Sequence, residues 1–337
     1  MRDRRLLGSI VVFAVLLLVP LFVHDTFFLR VASEAIMWIG LAVAFDVLAG
    51  YTGYLNFGHS AFFGIGAYTT AILMMRASWP FPLAVVAGGV VAAAGAVLAG
   101  LPTLRLRGAY FAIATWALAR AIQQAALMMT VTGGPDGMRL TAYLQPRFFY
   151  WVLLGVVGAT FFLLWFLLER APFGLKLKAI REDEQGAKAL GLNPTHLKVQ
   201  AFVLSAVPTA VLGGVFAYWV TFIDPDSTLG DLVSDQALVM VVFGGMGTLI
   251  GPVVGAVLIF AFKTVFWTYL ADYEVLYIII LGAVIALSVV FLPNGVLGKL
   301  RRRGAVRRPG TGAPAPAAAT APPAAEAGTA AARKGAT

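Results

Sequence analysis

The stretch ERAPFGLKLKAIREDEQGAKALGLNPTHLKVQ, residues 169–200, decides how the rest of the chain is read. It holds ten of the 41 Asp, Glu, Lys and Arg residues in a sequence of 337. Apolar runs flank it at 148–168 and 201–222. Each has about the 20 residues that a helix needs to cross the hydrocarbon core of a bilayer. The polar stretch must therefore lie in water, between two membrane spans. Within it, Pro172 and Gly174 follow the preceding span, and residues 175–190 are good helix formers throughout. Ile180, Asp183, Ala187 and Gly191 fall at i, i+3, i+7 and i+11, on one face. The small residues Ala187 and Gly191 would let another surface approach, with Arg181, Glu182 and Glu184 ringing the contact. Gly191 stops this helix, and Asn193 and Pro194 start the next as N-cap and first residue. The face is poor in bulky apolar side chains. That suits a protein groove better than lipid, the plainer alternative being a helix lying on the membrane surface.

Composition sets the class. Sixty per cent hydrophobic residues, 12% charged and a mean hydropathy of +0.86 describe an integral membrane protein. The absence of cysteine excludes disulfides, thiolate nucleophiles and cysteine-ligated metals. Ten spans are expected, at 6–23, 31–49, a Gly-rich stretch running into a span that ends near Met75, 83–101, 108–130, 148–168, 201–222, a short 237–249, 251–270 and 275–292. The opening MRDRR and its apolar run resemble a signal peptide, but the run is long and no A-x-A site follows, so a retained first span is expected. With the N-terminus inside, 19 of the 25 basic residues fall on one side, including Arg105, Arg107, the 169–200 loop and the 299–308 cluster. The opposite side receives Arg30, Arg76, Arg139 and Arg147. This is the positive-inside pattern, and it makes the +9 net charge a topology signal and not a nucleic-acid footprint. It also requires 237–249 to cross. The expectation is an all-α membrane protein of about ten transmembrane helices, with broken helices, a two-half repeat and both termini cytoplasmic. Residues 1–303 form the membrane domain. Residues 304–337, rich in Ala and Pro, cannot bury a core and are expected to be disordered and dispensable.

Two Gly-rich interruptions stand in the two halves, at 50–68 (GYTGYLNFGHSAFFGIGAY) and 243–256 (FGGMGTLIGPVVGA). Paired breaks mark transporters whose pathway runs through them, so Asn56, His59, Ser60, Gly64, Gly66, Gly244, Gly245 and Gly247 are candidate pathway residues. Close helix packing through small residues is the alternative. His59 alone more often packs than binds, and no second histidine is near, so no metal site is expected. Asp46 and Arg120 lie deep enough in spans to pair with one another, whereas Glu34 and Lys263 sit near span ends. Asp224, Asp226, Asp231 and Asp235 read as an acidic outer loop, either merely solvated or a landing surface for a soluble partner.

The chain resembles the membrane subunits of bacterial ABC importers in the branched-chain amino acid permease family. The resemblance rests on GYLNFGHSAFFGIGAY at 53–68, LRLRGAYFAIAT at 104–115, TGGPDGM at 132–138, PFGLKLKAIREDEQGAKALG at 172–191 and VFGGMGTLIGPVVGA at 242–256, and covers residues 30–298. Within that family the chain is more similar to the M-type subunit than to the H-type. The resemblance implies that Ile180, Arg181, Glu182, Asp183, Ala187 and Gly191 belong to a coupling helix gripped by an ATPase. It implies a heterodimer with an H-type permease, two ATP-binding cassette subunits carrying ATP and Mg, an external solute-binding protein, and residence in the bacterial inner membrane. The implied cargo is branched-chain or other apolar amino acids, or related urea, amide or aromatic-acid solutes. No phosphate-binding loop G-x-x-x-x-G-K-[ST] occurs, so no ATP or other cofactor is expected on this chain. A stand-alone carrier using Asp46 and Glu34 as ion sites is the alternative; it would not need the 180–190 helix. A membrane enzyme has no carboxylate pair, histidine cluster or nucleophile motif to support it.

Overall fold

The structure, a computed structural model, describes residues 13, 16–22, 25–143, 145–269 and 282. After the helical residues 16–22, α1 (Thr26–Thr52) starts behind Asp25, whose carboxylate accepts the Phe27 N–H at 2.9 Å. It is followed by α2 (His59–Ala77), α3 (Phe81–Thr103) and α4 (Ala109–Met128). A connector with the two-residue strand β1 (Met138–Arg139) leads to α5 (Pro146–Trp165), which continues as a π-turn, Phe166–Arg170. The short α6 (Pro172–Glu182) and α7 (Glu184–Ala189) come next, then the 27-residue α8 (Pro194–Val220). Strand β2 (Phe222–Ile223) pairs antiparallel with β1 and hands the chain to α9 (Pro225–Leu229), α10 (Asp231–Gly244) and α11 (Ile250–Tyr269).

Four of these helices are long and apolar enough to cross a membrane: Thr26–Thr52, Phe81–Thr103, Pro146–Arg170 and Pro194–Val220. The chain alternates between two faces. One holds β1, β2 and the connector around residues 130–136, where Arg76 from the end of α2 donates to the Thr130 and Val131 carbonyls. The other holds α6, α7 and the turns at 53–58, 104–108 and 245–249, and carries the basic residues Arg105, Arg107, Lys176, Lys178, Arg181 and Lys188.

The packing centres on α8, against which α1, α2 and α3 lie. Lipid is as apolar as leucine, so helix association here depends on close fit more than on removal from water. Glycine supplies that fit: a Cβ on Gly66 would stand 1.9 Å from the Ala210 carbonyl oxygen, and one on Gly213 would stand 2.0 Å from that of Phe63. Phe45, Phe62, Phe202, Leu41 and Leu212 fill the space around the seam. Pro208, inside α8, has no N–H to give the preceding turn.

Four expectations change. The interruption at 50–68 is a break only from Gly53 to Gly58; from His59 onward it is continuous helix. The expected helix at 175–190 is two helices broken at Asp183, whose extended backbone (φ −153°, ψ 104°) ends α6 and N-caps α7. The acidic outer loop is largely helical, with Asp226 in α9 and Asp231 and Asp235 in α10. The short span expected at 237–249 is shifted: helix α10 covers Asp231–Gly244 and the 245–249 turn follows it. Most of the first expected span, the span at 275–292 apart from helical Gly282, the 299–308 cluster and the 304–337 tail lie outside the described residues.

Candidate functional site

The two helix breaks meet at the basic face. Asp46, 1% exposed in α1, accepts the Gly247 N–H through Oδ1 at 2.9 Å. Gly247 has φ +79°, and a Cβ there would stand 2.8 Å from the Gly50 carbonyl oxygen and 2.7 Å from Arg181 Nη1. Only glycine fits, because the backbone is both left-handed and pressed against a second backbone. Arg181, in the last turn of α6, donates through Nη1 to the Gly50 carbonyl. One guanidinium from the polar loop therefore closes over the junction of both interruptions. Lys178 lies with its ammonium 4.8 Å from the Tyr51 ring centre, and the Tyr51 hydroxyl donates to Glu169 at 3.1 Å. These contacts fasten α6 along the end of α1.

A second polar knot fastens α7. Lys198, 3% exposed at the start of α8, donates to Glu184 Oε1 at 2.8 Å, to the Leu104 carbonyl at 3.0 Å and to the Tyr54 hydroxyl at 3.0 Å. Its three protons are thus all placed, which is what a buried ammonium requires. The Tyr54 hydroxyl donates in turn to Glu184 Oε2 at 2.9 Å, and Arg107 stands 3.5 Å from the same oxygen. Partial burial alone would raise the Glu184 pKa; the Lys198 and Tyr54 hydrogen bonds and the charges of Lys198 and Arg107 outweigh it and hold the carboxyl below its ordinary value. Gly50 lies in the last turn of α1 and Tyr54 in the 53–58 break that follows, so the two loop helices are tied to neighbouring points of the chain, α6 through Arg181 and α7 through Glu184.

This arrangement corrects the expected docking face. Ile180 and Ala187 are each 3% exposed and pack into the chain's own core with Leu177, Leu168 and Leu197. The Asp183 carboxylate accepts the Gln185 N–H at 2.9 Å as a cap. Gly191 is exposed, with φ +84°. The outward surface instead carries Leu175 and Leu190, 71% and 83% exposed, with Ala179 and Glu182.

Of the candidate pathway residues, His59, Ser60, Gly64 and Gly66 are buried in helix packing. The Thr209 hydroxyl donates to the Ser205 carbonyl at 2.8 Å, so its oxygen accepts from His59 Nε2, also at 2.8 Å; the imidazole and the Phe45 ring pack in a T-shaped contact. Ser60 N–H donates to Ser234 Oγ at 2.8 Å, linking the start of α2 to α10. A Cβ on Gly64 would strike the Leu229 side chain, and one on Gly244 the Gly251 carbonyl. Gly245 ends α10 with φ 118°. Asn56 differs from these, because it borders a cavity.

The proposed Asp46–Arg120 pair is replaced by other partners. Arg120 pairs with Asp231 and donates to Gln123 Oε1 at 2.7 Å. Gln123 donates to Asp226 at 2.8 Å and to the Pro225 carbonyl at 3.5 Å, and Trp116 donates to Asp231 at 3.1 Å, so α4 is latched to α9 and α10 mainly through side chains. Lys263 and Glu34 pair at 3.1 Å. Tyr54 and Lys198 escaped sequence reasoning altogether. A signal for Lys198 existed: it shares the buried stripe of α8 with Ala201, Phe202 and Ser205, a phase in which a lysine needs a partner.

Residues 27–289 match the family described as "Branched-chain amino acid transport system / permease component". The chain is 30% identical over 306 residues to the high-affinity branched-chain amino acid transport system permease protein LivM of Salmonella typhimurium, covering 80% of this chain and 70% of that protein. LivM of Escherichia coli K12 is 30% identical over 304 residues, with the same coverage. LivH of the same organism is 24% identical over 285 residues, 77% of this chain and 90% of the relative. No solved structure matches.

Proposed function

The chain belongs to the branched-chain amino acid transport permease family, and from that premise we propose how it works as a permease subunit of an ABC importer. The cargo is a branched-chain or other apolar amino acid. The basic face is cytoplasmic, in a bacterial inner membrane, in keeping with the positive-inside rule. The chain pairs with an H-type permease, receives solute from an external binding protein, and is driven by two ATPase subunits that carry ATP and Mg.

The outward surface of α6 and α7, with Leu175, Ala179, Glu182 and Leu190, is the part a cytoplasmic motor grips. Closure of the ATPases displaces these two short helices. The displacement reaches the membrane through hydrogen bonds. Arg181 draws on the Gly50 carbonyl and Glu184 on the Tyr54 hydroxyl, so the end of α1 and the start of the 53–58 break move with the loop. The Asp46–Gly247 bond carries the same movement to the second break and α10. Two packings of the breaks, biased by ATP on one side and by the loaded binding protein on the other, give alternating access.

The observation that carries this reading is the Arg181 guanidinium, which reaches from a water-exposed loop to a backbone carbonyl where the two helix breaks touch. Purification of the tagged chain from native membranes tests it: a second permease and an ATPase in the eluate are expected. Vesicles containing this polypeptide alone should be inert; solute flux from them would instead identify a self-sufficient carrier.

A further inference from the structure

We propose that the cavity between α2, α3, α4 and α8 is a solute subsite, which receives the side chain of a small apolar solute and meets its carboxylate with the Asn56 amide. The proposal rests on the importer reading above. The cavity has a volume of about 640 Å³. That lies in the range of about 300–1,000 Å³ that holds small molecules. Its wall is mostly apolar, with Phe62, Ile65, Leu118, Ile122 and Phe202 among the large side chains and glycine and alanine between them. Leu98, Ala117 and Ala121 border it and are exposed, so it opens sideways between α3 and α4.

Its polar residues are unequal. The hydroxyls of Thr103 and Thr115 give their protons to carbonyls of their own helices, Ala99 at 2.6 Å and Ala112 at 3.0 Å. Asn56 is 2% exposed, and its Oδ1 accepts the Gly58 N–H at 2.9 Å. That bond fixes which end of the amide is oxygen and leaves Nδ2 as the free end. Asn56 Nδ2 is buried and has no hydrogen-bond partner in the structure. A donor in this position is unfavourable unless an occupant brings an acceptor. Asn56 and Gly58 lie just before His59, the first residue of the 19-residue α2. The positive end of that helix dipole favours an acceptor with negative charge. An acyl chain would fill the apolar wall but bring nothing to the amide. A carboxylate with a compact apolar side chain satisfies both.

The test uses the complete transporter, with its partner permease, ATPases and binding protein, in proteoliposomes. Asn56→Asp keeps an oxygen for the Gly58 N–H and replaces the free donor by a negative acceptor. Ala121→Trp fills the mouth of the cavity. Uptake of leucine, valine, phenylalanine and leucinamide is measured together with thermal stability. The expected result for Asn56→Asp is a KM for the three amino acids raised on the order of ten- to a hundredfold, as for loss of a hydrogen bond to a charged group. Leucinamide, which has no carboxylate, is affected far less, and the melting temperature is kept. Ala121→Trp lowers uptake of all four. Unchanged amino-acid KM in Asn56→Asp overturns the proposal, and so does equal impairment of leucinamide with a lowered melting temperature, which marks a structural asparagine. Normal uptake by Ala121→Trp with loss of co-purified lipid assigns the cavity to an acyl chain. A wild-type complex that moves none of the amino acids is a different failure, that of the importer reading itself.

Discussion

Two arginines anchor two polar knots, and they bond to different kinds of partner. Arg120 meets the Asp231 carboxylate and the Gln123 amide, side chain to side chain, across the flanks of α4 and α10. Arg181 meets a backbone carbonyl, that of Gly50, with the Gly247 backbone packed beside it. A bond between side chains survives small shifts of either helix, because both ends can follow by rotamer change. A bond to a main-chain carbonyl at a helix end follows the bend of the chain itself. The first arrangement suits holding and the second suits transmission.

The largest effect expected from this contrast is on uptake. Arg181→Glu in the assembled importer should reduce solute uptake by roughly 5- to 150-fold, the range of typical coupling energies between sites. The protein should still reach the membrane and recruit its ATPases, since Leu175, Ala179 and Leu190 are untouched. Uptake at the wild-type rate would remove Arg181 from the transmission path.

Next in size is a loss of stability. Lys198→Ala leaves the Glu184 carboxylate half-buried without its ammonium, and breaking such a pair costs about 3–5 kcal/mol. The detergent-solubilised protein should melt at a lower temperature. Lys198→Met combined with Glu184→Gln should recover much of the loss, since a neutral isosteric pair leaves no charge stranded. If the double variant is no better than Lys198→Ala, the loss stems from packing around Leu104 and Tyr54.

Arg120→Ala should cost less, about 1 kcal/mol, because the Arg120 side chain is 41% exposed and the pair is open on one flank. The exchange Arg120→Asp with Asp231→Arg should restore both stability and uptake if this knot only holds. Restoration of stability without uptake would move it into the transmission path and weaken the contrast with Arg181.

The contrast also explains what could be read in advance. The polar loop, the membrane class and most helix positions follow from apolar runs of about the right length, so 83–101 and 148–168 map onto α3 and α5 with small shifts of their ends. Paired charges at depth are legible as a need and not as a pairing: Arg120 stands out, but the carboxylate expected to meet it, Asp46, instead accepts a backbone N–H 201 residues away through Oδ1. A heptad-like spacing of Ile180, Ala187 and Gly191 does mark a face, but periodicity cannot say whether that face turns to a partner or to the chain's own core. Burial of Ile180 and Ala187 answers it, and the helix break at Asp183 was hidden because Asp183 caps as readily as it continues a helix. Bonds to main-chain atoms, such as Arg181 to Gly50, leave no pairing signal in side-chain pattern at all.

Acid provides the finest probe of how far α7 shares the behaviour of α6. Glu184 is held below its ordinary value of 4.5 by Lys198, Tyr54 and Arg107. A carboxyl whose folded pKa is depressed stabilises the fold at pH values above the unfolded pKa, and that contribution disappears as pH falls through the folded one. The melting temperature of the wild type should therefore fall as the pH drops below about 4.5, and Glu184→Gln should start lower at neutral pH and fall less steeply. The hydrogen bond that Arg181 makes has no proton to lose, as the Gly50 carbonyl does not titrate. An acid limb that persists unchanged in Glu184→Gln would locate the titrating group outside the α7 knot and leave Arg181 as the better-supported of the two ties between loop and break.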